Sequence, residues 1–330
     1  MAAPSLKLLN GFQLPLVGLG TFTVTDEKAL ETSLNTALES GYRHIDTATV
    51  YNNEHIIGKV LKAWFDSGKL KRQEVFITTK LPPAGLHPDR LEEYLLKSLE
   101  LLQVDYVDLY LIHLPIHIQS FGGASTNLAA SQPQPTDHLA VWKKLEEQVD
   151  LGRTRAIGVS NFNQSQVKRV FENARIKPAA NQVELHIYLQ QPELVDYLQA
   201  NGIVPVSYFS LGNPGINEFL VKNGRPPRNV GSELLDDPVV REIATKHGKT
   251  SGQVLLKYLV QKKIAVIPKS VTPSRIRENI GLFDFQLDAA DVGALQALDK
   301  GEAGRRSTMA FNQAIVDHPE YPFPRIARTV

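Results

Sequence analysis

Eight short apolar runs recur along this 330-residue chain, each followed by a segment of helical length, and that repetition constrains the fold more than any single motif. The runs are Leu16–Gly20, His44–Ala48, Val75–Lys80, Val107–His113, Thr154–Ser160, Ala180–Leu185, Ile203–Tyr208 and Ile264–Pro268. They are short, β-branched or apolar, and bounded by turn residues, as strands are. Between them Leu91, Tyr94, Leu95, Ser98 and Leu102 follow a 3.6-residue period, as do Val141, Leu145 and Val149. Asp26 and Ser165 stand where a side-chain oxygen would cap a helix start. Strand–helix repetition predicts parallel strands buried under helices, and runs that are apolar on both faces suit that burial. A hairpin is expected ahead of the first unit, because Ser5–Leu9 and Phe12–Leu16 flank Asn10-Gly11, a strong two-residue turn signal.

The length is compatible with two domains or with one α/β barrel. Three segments are aperiodic, Leu114–Thr136, Phe209–Asp236 and Leu298–Val330; the alternation resumes in phase after the first two, which favours one unit over residues 1–330 rather than two joined by a linker. Two of these segments follow strand ends, where α/β barrels place their sites. With 36 Lys+Arg against 35 Asp+Glu, the net charge of +1 argues against a nucleic-acid-binding surface. The absence of cysteine excludes thiol nucleophiles, Cys-based metal sites and disulfides, and fits a reducing compartment. His113 and His117 are interrupted by Pro115, so no metal site is expected there. The first twenty residues make a poor signal peptide and no run is long enough to span a bilayer. A cytoplasmic protein without a membrane partner is the expectation.

Three strand ends carry chemistry. One runs Gly41-Tyr42-Arg43-His44-Ile45-Asp46 and is followed in its loop by Tyr51; a second ends Thr78-Thr79-Lys80; a third ends Leu111-Ile112-His113. Parallel strands would bring all of these to one end of the sheet. A phenol is a weak acid at neutral pH. A neighbouring ammonium is expected to lower its pKa, a carboxylate to offset the lysine charge, and an imidazole to hold a substrate oxygen. Such a set protonates the alkoxide that forms when a carbonyl accepts hydride.

The chain resembles the aldo-keto reductases from Leu16 to Tyr321-Pro322-Phe323. The resemblance rests on the Gly41–Tyr51 string with Asn53-Glu54 and Gly58, on Gly158-Val159-Ser160-Asn161-Phe162, and on Ile267-Pro268-Lys269-Ser270 with Arg275, Glu278 and Asn279. It implies a single (β/α)8 TIM barrel with an N-terminal hairpin, long loops at the C-terminal face, and a tail over about 299–330 closing the substrate pocket. It implies NADPH-dependent reduction of an aldehyde or ketone, with Tyr51 as general acid, Lys80 and Asp46 tuning it, and His113 orienting the carbonyl. The alternative is a catalytically weak NADP(H)-binding regulatory or structural protein on the same scaffold. A monomer is the family default.

No dinucleotide fingerprint follows Gly18-Leu19-Gly20. Instead Thr272-Pro273 opens a helix beside Lys269 and Arg275, a site suited to a phosphate dianion. By the resemblance, Lys269, Ser270, Thr272 and Arg275 hold the adenosine 2′-phosphate of NADP(H), and Glu278 and Asn279 face the adenine. Ser160, Asn161 and Gln182 hold the carboxamide, Tyr208 stacks on the nicotinamide, and Thr21, Asp46, Ser210, Leu211 and Gly212 complete the cofactor set. The family's usual Tyr-Ser-Pro-Leu-Gly is here Tyr208-Phe209-Ser210-Leu211-Gly212. Arg225-Pro226-Pro227 and Leu234–Pro238 resemble a flap over the cofactor. Phe22, Val50, Leu114 and Phe121 are expected to line the substrate pocket. Phe22 and Leu114 stand where many members carry Trp, which implies a roomier, more apolar pocket. A ketosteroid, an ecdysteroid or a long-chain aldehyde would suit it, and the arthropod 3-keto-ecdysteroid reductases are one subgroup with a loose resemblance.

Overall fold

The structure, a computed structural model, describes residues 3–119, 131–222, 232–310 and 312–325. Every one of the eight runs contains a strand: β1 (Leu19–Gly20), β2 (His44–Asp46), β3 (Phe76–Leu81), β4 (Val107–Ile112), β5 (Thr154–Ser160), β6 (Ala180–Glu184), β7 (Val204–Tyr208) and β8 (Ala265–Val266). They pair in parallel, each with its neighbour in the chain. The two ends of the sheet also meet. Val17 bridges Val266, and Gly18 N–H and Gly20 N–H donate to the carbonyls of Val266 and Pro268. The result is the (β/α)8 barrel. No helix among the described residues is long and apolar enough to cross a membrane.

Side chains alternate between two apolar environments. Leu109 and Leu111 of β4 point into the barrel with Phe76, Ala156, Ala180, Val204, Val206, Ala265 and Ile267, while Tyr110 and Ile112 lie under the helices. This is period 2 with both faces buried, which is why the strands read as continuous apolar runs. Gly158 is required by this crowding, since a Cβ there would lie 2.6 Å from the Ala180 carbonyl oxygen.

The N-terminal hairpin forms, with Ser5–Lys7 antiparallel to Gln13–Pro15, and it sends Leu8 and Leu14 into the barrel interior. Its turn is longer than Asn10-Gly11 alone predicts. Only Gly11 has positive φ (+91°), and Leu8 N–H bonds the Phe12 carbonyl. Asn10 instead donates its side-chain amide to the Arg155 carbonyl at 2.8 Å, a tertiary bond the local signal does not encode.

Asp26 caps the helix Glu27–Glu39 through a bond from Ala29 N–H. Ser165 caps nothing. The helix Gln164–Asn173 is capped by Asn163, which accepts from Gln166 N–H, and Ser165 donates its hydroxyl to Asn163. Asn163 and Gln166 form a reciprocal capping box that a lone serine does not match.

Candidate active site

The inward parity of the strands determines which polar residues share the C-terminal mouth. In β2, His44 and Asp46 face in; in β3, Phe76, Thr78 and Lys80; in β4, Leu109 and Leu111, continued by His113. Lys80 and Asp46 meet there, both almost fully buried. The ammonium donates to Asp46 Oδ1 at 2.6 Å, to the Thr47 carbonyl at 2.8 Å, and to the Tyr51 hydroxyl at 3.4 Å. Tyr51 closes a short 3-10 turn, Thr49–Tyr51, above the end of β2. Its ring meets His113 edge-on, with centroids 5.7 Å apart. Asp46, Tyr51, Lys80 and His113 therefore converge.

Their electrostatics differ from the sequence expectation in one respect. Burial pushes the Tyr51 phenol well above its ordinary value, and the Asp46 charge pushes the same way. The expected lowering by Lys80 is not seen. That ammonium is matched by Asp46 at closer range, so little of its field is left for the phenol. Burial, with Lys80 nearby, holds His113 well below the usual histidine range. Its imidazole is neutral at pH 7, and the buried Nδ1 has no hydrogen-bond partner among the described residues.

A second cluster lies beside the first. Gln182 donates its amide to Asp46 Oδ2 at 2.7 Å. Ser160 donates its hydroxyl to the Gln182 carbonyl, and Asn161 donates to the His113 carbonyl at 2.9 Å. Asn161 has φ +63° and accepts the Tyr208 hydroxyl at 2.7 Å. Thr21 bonds the Asp46 carbonyl through both its N–H and its hydroxyl.

Residues 16–300 match the Aldo/keto reductase family. The chain belongs to that family. It is 40% identical over 304 residues to an aldose reductase of Encephalitozoon cuniculi, covering 91% of this chain and 95% of that one. Its fold is similar to the aldose reductase of Schistosoma japonicum, with TM-score 0.84, 38% identity and coverage of 98% and 99%. A Bombyx mori aldo-keto reductase solved in complex with NADP gives TM-score 0.83 at 35% identity, covering 98% of this chain and 100% of that one.

In this aldo/keto reductase the segment after β8 carries Lys269, Ser270 and Thr272 into the helix Pro273–Ile280. Thr272 occupies the cap position, but its side chain makes no cap bond. Asn53 and Ser232 likewise make no cap bond, whereas Asp26, Asn163, Thr250 and Asp288 cap their helices. Arg275 and Glu278 are exposed on the same first turns, and Asn279 is buried. An uncapped N-terminus flanked by lysine and arginine is a fitting donor set for a phosphate.

The loop after β7 is less straightforward. Ser210 is buried and its hydroxyl bonds Ser207, so that side chain turns inward, away from a ligand. Phe209, Gly212 and Asn213 have φ of +56°, +76° and +52°. Leu211 packs partly against the core. Rings link Tyr51 to Phe22 at 5.1 Å and Phe22 to Phe209 at 6.4 Å. Val50 is half-buried beside Tyr51. Leu114 is buried against Pro115, Ile116, Met309, Tyr321 and Pro322. Phe121 and Arg225-Pro226-Pro227 lie outside the described residues. A cavity of about 380 Å³ sits between the tail and the loops after β5 and β6, lined by Asn161, Arg305 and Phe323 among others, and none of the four convergent residues borders it.

Sequence reasoning missed Glu184 and gave Glu54, quoted above only as part of a motif, no place in the site. Glu54 is buried behind Lys80, accepting from Thr79 at 2.6 Å and Ser98 at 3.1 Å, and burial raises its pKa. Glu184 ends β6 on the inward parity shared with Gln182, which is the signal that could have found it.

Proposed function

We propose that this protein reduces an aldehyde or ketone to the alcohol, using NADPH, with Tyr51 as the proton donor. The observation that carries the proposal is the convergence of the Tyr51 hydroxyl, the Lys80–Asp46 pair and a neutral His113 at one end of the barrel. NADPH, when bound, supplies the hydride. The uncapped helix at Pro273 with Lys269 and Arg275 would hold the 2′-phosphate. Ser160, Asn161 and Gln182 would receive the carboxamide, and Tyr208 would back the ring.

The chain's own residues then handle the proton. A phenol held above its ordinary pKa is protonated throughout the neutral range and is ready to give its hydrogen to an alkoxide. Negative charge left on Tyr51 is met by Lys80 at 3.4 Å, whose ammonium is kept in place by Asp46 and the Thr47 carbonyl. A neutral His113 can donate one ring N–H to the substrate oxygen without carrying charge into the pocket.

The substrate we assign is bulky and apolar, a ketosteroid or ecdysteroid or a long-chain aldehyde. The support is the apolar character of Leu114, Ile116, Ile118, Ile315 and Tyr321 beyond His113; the tail packs onto them and leaves a space of about 10 Å³, so a bulky substrate requires the tail to move. The decisive experiment is Tyr51→Phe. Turnover of NADPH with a carbonyl panel should be lost while quenching of protein fluorescence by NADPH persists. A normal kcat in the variant would remove Tyr51 from the role.

A further inference from the structure

The tail segment 305–308 reaches the cofactor side of the barrel as well as the substrate side. Glu184 at the end of β6 is buried, and its two carboxylate oxygens accept the backbone N–H groups of Arg306 at 2.7 Å and Ser307 at 2.8 Å. Just before this, Gly304 packs so closely on Tyr188 that a Cβ would lie 1.9 Å from its carbonyl oxygen. The root of the tail is therefore seated on the barrel with little freedom.

From that seat the Arg306 side chain, 8% exposed, crosses to the loop after β7. It donates to the Gly212 carbonyl at 2.7 Å and pairs with Glu233 Oε2 at 3.2 Å. Gly212 suits its φ of +76°, and a Cβ there would lie 2.9 Å from the guanidinium, which shows how closely Arg306 approaches the loop. The loop places two non-glycine residues, Phe209 and Asn213, in the left-handed region and is closed internally by Gly212 N–H on the Phe209 carbonyl at 2.7 Å; Arg306 ties it to the tail from outside. On its other side the same segment grips the rest of the tail. Arg305 stacks on Phe323 at 4.4 Å, and the Thr308 carbonyl accepts the Tyr321 hydroxyl at 2.6 Å.

We infer that Arg306 is a positioning residue that ties the cofactor loop 209–213 to the substrate-side tail, so that occupation of the cofactor site orders the tail. The inference rests on the proposed reading of this loop as a cofactor contact. Because Arg306 is anchored by Glu184 through its backbone and grips Gly212 through its side chain, movement of either partner is transmitted to the other.

The test is hydrogen–deuterium exchange of the full chain with and without saturating NADP+, together with NADP+ affinity and NADPH dissociation followed by fluorescence. In the wild type, NADP+ should slow exchange of tail amides 307–321 by three-fold or more. In Arg306→Met, NADPH should dissociate about ten-fold faster. At saturating NADP+ the variant should protect loop 209–213 and leave the tail at its unliganded rate. Arg306→Lys, which keeps one donor for Gly212, should recover part of both effects. Wild-type tail amides indifferent to bound NADP+, or full transmission through Arg306→Met, would overturn the inference. Should the variant not fold, the wild-type comparison alone decides. A wild type that binds no NADP+ would instead overturn the cofactor reading.

Discussion

The Lys80 ammonium lies 2.6 Å from Asp46 Oδ1 at a depth where neither side chain is more than 2% exposed. Removing one member of a buried pair leaves the other without compensation, which costs about 3–5 kcal/mol. Lys80→Met should therefore lower the unfolding free energy by that order in urea titration. The Lys80→Met/Asp46→Asn double variant should be more stable than the sum of the single losses, because no charge is then stranded. Additive losses would mean that the pair is not coupled.

The acid–base behaviour follows from burial. With the Tyr51 phenol held well above its ordinary value and His113 well below its own, neither changes charge across the neutral range. The profile of kcat/KM for carbonyl reduction should be flat from pH 6.5 to 9.5. An alkaline limb near pH 8 would show that the Tyr51 phenol, or the Lys80 ammonium, which burial pushes down, titrates inside that window.

At the far end of the cofactor site, Arg275 stands exposed on the uncapped helix. Arg275→Ala should raise the NADPH dissociation constant about ten-fold, equivalent to about 1.4 kcal/mol, and leave NADH unchanged. Fluorescence titration with both nucleotides measures this. Equal losses would show that Arg275 does not read the 2′-phosphate.

His44 sets an acid limit on stability. Burial pushes its imidazole down to about 4, where it bonds the Thr78 hydroxyl at 3.0 Å. An unfolded histidine titrates near 6.5. Between these values the unfolded chain binds a proton that the folded chain refuses, so stability falls as pH drops. The contribution is complete above pH 6.5, and about 2 kcal/mol of it is gone by pH 5. His44→Gln should flatten the dependence of unfolding free energy between pH 7 and 5. An unchanged slope would assign the acid sensitivity elsewhere.

What the sequence made legible is what depends on strand parity and local spacing. Asp46, Lys80 and His113 each sit at the inward-facing end of a run, so the alternation that identifies the strands also gathers the site. What depends on partners far along the chain was not legible. The hairpin turn is shaped by Asn10 reaching Arg155, and the Ser210 hydroxyl is claimed by Ser207. Glu184 reads as one more strand residue until the backbone of Arg306 and Ser307 arrives against it. The direction of the Tyr51 shift was not legible for a related reason, since a lysine's effect on a phenol depends on how much of its charge another group has already matched.

The helix that begins at Pro273 forgoes the cap that Thr272 could have supplied. A missing cap of this kind costs about 1 kcal/mol, and a bound phosphate would restore it and add its own binding energy. Both NADPH and NADP+ carry that phosphate, so the amount of folded protein would track the total pool of the phosphorylated nucleotide, whatever its redox state.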